Sequence, residues 1–92
     1  MRERYEGYLE ASTTWNPASL TISPCDVTAN TVTVAGAKLG DFAIASFSLD
    51  LSDTELNAAV TAANTVTVTL SNATDVTKDL ASGTLRVRVF PV

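Results

Sequence analysis

Ten carboxylates, six cations, one cysteine and no histidine make up the ionisable repertoire of this 92-residue chain, the two tyrosines aside. Without histidine, and with Cys25 as the sole thiol, the ligand sets that hold zinc and other transition metals are close to excluded. Cys25 follows Pro24 and reads as a small buried or half-buried residue, because a reactive thiol needs a base or a cationic neighbour. One cysteine forms no intrachain disulfide. Asp50, Asp53 and Glu55 lie close in sequence, as do Asp75 and Asp79. Neither group follows the D-x-[DN]-x-[DN]-G spacing of a calcium loop, so calcium would have to bridge the two. Solvated loop acids are the simpler reading. Paired carboxylates can hydrolyse glycosides, but that chemistry needs an aromatic-lined cleft. Only six aromatic residues exist, and several are needed for a core. The chain is therefore not expected to be an enzyme, and no catalytic, cofactor-binding or metal-binding residue is assigned. Asn72-Ala73-Thr74 fits the N-glycosylation pattern and is taken as chance, since Met1-Arg2-Glu3-Arg4-Tyr5-Glu6 has no apolar run and does not read as a signal peptide. Arg86 and Arg88 share one face of a strand and are the most informative charges. Their two readings are pairing with acids of a neighbouring subunit and discouragement of edge-to-edge pairing.

The elements that must position these residues are strands. Ala-Asn-Thr-Val-Thr-Val occurs at 29–34 and again at 63–68. Each copy opens on a turn-type Asn and continues with period-two alternation, which is a half-buried strand. Seven short runs follow this logic: 13–15, 19–23, 27–35, 42–48, 56–62, 65–70 and 84–90. Val32, Val34, Val66, Val68, Leu70, Leu85, Val87 and Val89 point to the core. Ala63-Asn64 turns the best hairpin, although no Gly follows the Asn. In 42–48, Phe42 and Ile44 share one face while Ala43, Ala45 and Phe47 share the other, as in a strand covered on both sides. Ser52-Asp53-Thr54-Glu55 has capping-box spacing and allows a helical turn. Trp15 is expected to cap one end of the core. The pattern predicts an all-β fold, an antiparallel β-sandwich of Greek-key or jelly-roll type with about seven strands.

Residues 1–12 differ from the rest. Tyr5, Tyr8 and Leu9 lie at helical spacing opposite Glu6 and Glu10, with Gly7 weakening a helix by roughly 1 kcal/mol relative to Ala. The segment reads as a docking arm, either a short helix or an extended tail, ahead of a sandwich domain at 13–92.

Apolar residues make up 46% of the chain and charged residues 17%, below the usual ~25%. Thr, about one residue in seven, supplies the missing polarity and suits a pleated surface. The net charge is −4 and the six cations are scattered, so nucleic acid is not an expected partner. Residues 56–74 carry no charge, but Thr and Asn punctuate them and a turn divides them, so they are two strands and not a membrane span.

Three stretches resemble a known family in their order and spacing. Gly36-Ala37-Lys38-Leu39-Gly40-Asp41 follows a Val-Thr-Val strand. Val60-Thr61-Ala62-Ala63-Asn64-Thr65-Val66-Thr67-Val68-Thr69-Leu70-Ser71-Asn72 comes next, then Ala81-Ser82-Gly83-Thr84-Leu85-Arg86-Val87-Arg88-Val89. With Trp15-Asn16-Pro17 ahead of them, they resemble a small β-sandwich module of tailed-bacteriophage virion proteins, met also in cyanophages. The resemblance spans roughly 13–89 and rests on turn and strand residues. It implies a structural virion protein: a capsid decoration, or cement, protein that binds the assembled head and bridges neighbouring capsid subunits. The alternative is a tail-fibre or receptor- or glycan-binding module, in which the acidic loops at 49–55 and 75–79 would carry function. Expected partners are the major capsid protein and further copies of the chain, as a trimer, with no nucleic acid and no membrane. The expected location is the outer surface of the capsid, after passage through the host cytoplasm. Tyr5, Tyr8, Leu9, Phe47, Arg86 and Arg88 are the candidate interface residues.

Overall fold

A computed structural model describes residues 7–21 and 26–92 of the chain. Among these residues the fold is all-β, with six strands and no helix. They are β1 (Leu9–Trp15), β2 (Asp26–Thr33), β3 (Phe42–Phe47), β4 (Glu55–Ala62), β5 (Thr65–Asn72) and β6 (Gly83–Phe90). Two antiparallel three-stranded sheets form, ordered β1-β6-β3 and β2-β5-β4. The chain changes sheet at every connection except the β4–β5 hairpin.

The period-two pattern explains the packing. Val66, Val68 and Leu70 of β5 and Leu85, Val87 and Val89 of β6 are buried, and they belong to one core with Val32, Val34, Val60 and Trp15. β5 and β6 are the central strands of their sheets, so their alternate valines and leucines fill the middle of a sandwich-like arrangement. Full burial of each such side chain contributes about 1.5–3 kcal/mol. Trp15 closes one end of this core edge-on against Phe47, with ring centroids 6.1 Å apart.

Two expected boundaries differ from what folds. Residues 9–12 are not part of an arm: β1 starts at Leu9 and pairs with β6 along its whole length, from Leu9↔Val89 to Trp15↔Gly83. Gly7, at φ 79, turns the chain instead of continuing a helix. The expected strand at 19–23 shrinks, among its described residues, to one bridge between Leu20 and Lys78. Leu20 and Lys78 exchange both backbone bonds (2.7 and 2.9 Å), but Val76, which the next step of that ladder would need, gives its carbonyl to Asn72 Nδ2 (2.9 Å) and its N–H to Thr74 Oγ1 (3.3 Å). Among the described residues the count is therefore six strands, not seven.

Turn chemistry fixes the loops. Ser52 and Asp53 both have positive φ, and Thr54 N–H donates to Leu51 O at 3.0 Å. That is a tight turn into β4, and no helical turn starts at Ser52. In the β4–β5 hairpin Asn64 sits at φ 62 and does the work expected of a Gly. Its Oδ1 also accepts from Gly36 N–H at 2.8 Å, and its carbonyl accepts from Val34 N–H at 2.9 Å. A Gly there would turn the chain and keep the backbone bonds to Val34 and Ala37, but would lose the side-chain tie to Gly36.

Strand direction sorts the loops into two ends. The β1–β2, β3–β4 and β5–β6 connections lie at the Trp15 end, since Trp15 pairs with Gly83, Phe47 with Leu85, Glu55 with Ser71 and Asp26 with Asn72. The β2–β3 loop and the β4–β5 hairpin lie at the other end.

Candidate interaction surface

The outer face of the β1-β6-β3 sheet is built from alternate residues of three strands. The register places Glu10, Arg88 and Ile44 in one row across the sheet, and Ser12, Arg86 and Ser46 in the next. Phe42 stands opposite Phe90 at the rim. Phe42 is 68% exposed and Ile44 56% exposed, so two large apolar side chains of β3 lie open on this face among the described residues.

Arg86 and Arg88 share one carboxylate. Arg88 Nε lies 3.1 Å from Glu10 Oε1 and Arg86 Nε lies 3.7 Å from Glu10 Oε2. Both pairs are solvated, and such pairs contribute at most about 1 kcal/mol. The Arg88 guanidinium also sits 4.6 Å from the centre of the Tyr8 ring, and that ring lies 6.1 Å from Phe90. A cation over an aromatic face is held by the ring quadrupole, which orients Arg88. Between the arginines and β3 runs a shallow open cleft of about 200 Å³, lined by Ile44, Ala45, Ser46, Arg86 and Arg88. The result is an apolar strip beside a cationic ridge, a combination suited to protein contacts: aromatics and Arg are enriched at interfaces and dominate their energetics.

The candidate interface residues separate on this frame. Tyr8, Arg86 and Arg88 come together on the outer face. Leu9 and Phe47 do not, because both turn inward and pack against the core, Leu9 beside Val89 and Phe47 on Trp15. Tyr5 lies outside the described residues. On β3 the exposed partners are Phe42 and Ile44, and on β1 Glu10 completes the group. Alternation showed that Phe42 and Ile44 share a face. Only the strand order reveals that this face is the outer one and carries the arginines. That order also removes the edge-guarding reading, since β6 is the central strand of its sheet.

The outer face of the other sheet contrasts with it. Thr31, Thr33, Thr65, Thr67, Thr69, Ala59 and Thr61 lie there, and the Thr61 and Thr67 hydroxyls meet at 2.8 Å. It carries mainly hydroxyls and methyls, with Asn57 and Glu55 toward the Trp15 end, where the first face carries rings and guanidiniums.

Comparison with protein-family models and with curated proteins finds no match. The site is thus defined by its own geometry.

The acidic loops are organised from within. Asn72 is fully buried. Its amide reaches Leu20 O and Thr21 O on the β1–β2 connection and Val76 O on the β5–β6 connection, while its Oδ1 accepts from Thr74 N–H (3.0 Å) and Thr74 Oγ1–H (2.6 Å). The sequon Asn is therefore a structural residue whose amide is inaccessible to glycosylation in the folded chain. Asp26 fastens the same end: Thr21 N–H donates to its Oδ2 at 3.0 Å and Val27 N–H to its Oδ1 at 3.0 Å. The Thr21 backbone bond is the main cause that holds the Asp26 carboxyl below its ordinary range. Among the described residues no group of three or more His, Cys, Asp or Glu is placed to hold a metal ion, and no helix is long and apolar enough to cross a membrane.

Proposed function

We propose that this chain is a structural virion protein, a capsid decoration protein that binds the assembled phage head and stiffens it by bridging neighbouring subunits. The resemblance of its strand and turn motifs to phage virion modules supports the reading. The observation that carries it is the outer face of the first sheet, where Phe42 and Ile44 lie exposed beside Arg86 and Arg88. A small Greek-key sandwich with one such face is a unit built to be held against other proteins. Its action is binding linkage: a protein that binds the assembled shell and not the free subunits stabilises the shell by mass action. The partners are the major capsid protein and further copies of this chain, as a trimer on the outer capsid surface.

The second reading, a tail-fibre or receptor- or glycan-binding module, draws on the same exposed Phe42 ring, which could stack on a sugar. Quantifying the protein in purified virions separates the two. A copy number that scales with the capsid subunits supports decoration. The few copies of a tail component would overturn it.

A further inference from the structure

The cationic face has a match elsewhere on the same molecule. The Trp15 end carries Asp50, Asp53, Asp75 and Asp79 on its loops and Asp26 and Glu55 at the starts of β2 and β4, six of the chain's ten acids, with Lys78 the only cation among them. The register puts both acidic connections at that one end, and Asn72 holds the β5–β6 loop in place. On the flank, among the described residues, two guanidiniums share one carboxylate, that of Glu10. Each molecule therefore presents an acidic end and a cationic, partly apolar flank that are complementary to each other.

We propose that the occupant of the β1-β6-β3 face is a second copy of this chain, docked by its acidic end. Carboxylates from Asp50 and Asp53 of one copy would meet Arg86 and Arg88 of the next, and the adjoining loop would cover Phe42 and Ile44. Complementary charge steers such an encounter and fixes its register, and the apolar strip supplies desolvated contact area. The two patches differ, so the contact is heterologous. With the end of each copy seated on the flank of the next, it closes into a ring or continues as a filament. This deepens the reading of that face as a docking surface by naming its partner, and it gives the proposed trimer a way to close. Glu10 is an internal competitor, occupying both arginines in the free chain.

Sedimentation velocity on the whole chain across a concentration series tests this, with far-UV circular dichroism to confirm that each variant folds. The wild-type chain associates beyond dimer at low salt and dissociates as salt rises. Arg86→Glu with Arg88→Glu weakens association roughly tenfold or more, and so does Asp50→Lys with Asp53→Lys. Mixing the two double variants restores association, because each carries the surface the other can bind. Glu10→Gln strengthens association. A chain that stays monomeric or stops at a closed dimer overturns the proposal, as does a mixture that fails to associate when each variant is folded. The outcome is separable from the virion reading. A self-associating chain absent from capsids would remove the virion reading alone, and a monomer found on capsids would remove this proposal alone.

Discussion

At the residue scale, Gly83 and Asn72 show how much one side chain, or its absence, decides. Gly83 belongs to the stretch that resembles phage modules, and glycine there suggests a turn dihedral. The structure gives a different reason. A Cβ at Gly83 would stand 2.8 Å from Ser48 Oγ and 2.9 Å from Phe47 Cζ. The missing side chain lets Phe47 lie across the start of β6 and meet Trp15. Gly83→Ala should destabilise the fold by about 1–3 kcal/mol, read as a lower urea midpoint, because the ring must shift in a packed corner. Asn72→Ala removes a buried amide whose two N–H groups are shared among three carbonyls and whose Oδ1 accepts from Thr74, and should cost about 2–3 kcal/mol by the same measurement. Asp26 sets an acid dependence. Its carboxyl titrates below the ordinary range when folded, so its contribution is complete above pH ~4 and fades as pH falls through the lowered value. Asp26→Asn should flatten that part of the acid limb of a stability–pH profile. An unchanged limb would show that the Thr21 bonds contribute nothing.

At the element scale, the six strands were legible to the extent that their side chains alternate. β5 and β6 could be read almost residue by residue, since Val66, Val68, Leu70, Leu85, Val87 and Val89 all face the core. β1 was not legible along its length, because Leu9, Ala11 and Thr13 are half-buried on an edge strand and small or polar side chains leave a weak pattern. The strand expected at 19–23 failed for a different reason. Its apolar alternation is real and Leu20 is buried, but the Asn72 and Thr74 side chains engage the backbone of Val76, which the ladder would need next. Period-two reading sees no such competitor. The candidate face was half visible: the arginines and Tyr8 came from the sequence, while Phe42, Ile44 and Glu10 needed the strand order. These elements set two tests. Removing residues 1–7 should leave cooperative unfolding intact, whereas removing residues 1–15 takes away β1 and uncovers one side of β6, and should abolish it. At the hairpin, Asn64→Gly keeps the positive φ and loses only the bond to Gly36, costing about 1 kcal/mol. Asn64→Ala should cost more, since it also strains the turn.

At the scale of the whole molecule, the chain has two unlike outer faces and two unlike ends. One face carries rings and guanidiniums, the other mainly hydroxyls and methyls, and one end gathers six of the ten acids. Low total charge leaves these contrasts unmasked, so a molecule of net charge −4 still offers a cationic flank to an acidic neighbour. A small sandwich with such polarity is suited to repeating around a shell, where many modest contacts add up. The central claim is that the β1-β6-β3 face is buried against protein in the assembled particle. A virion reconstruction that resolves the chain tests it most directly. The account predicts density for the chain on the outer capsid surface, with Phe42, Ile44, Arg86 and Arg88 covered by a neighbouring protein. Finding the chain on the tail, or on the capsid with that face open to solvent, would contradict it.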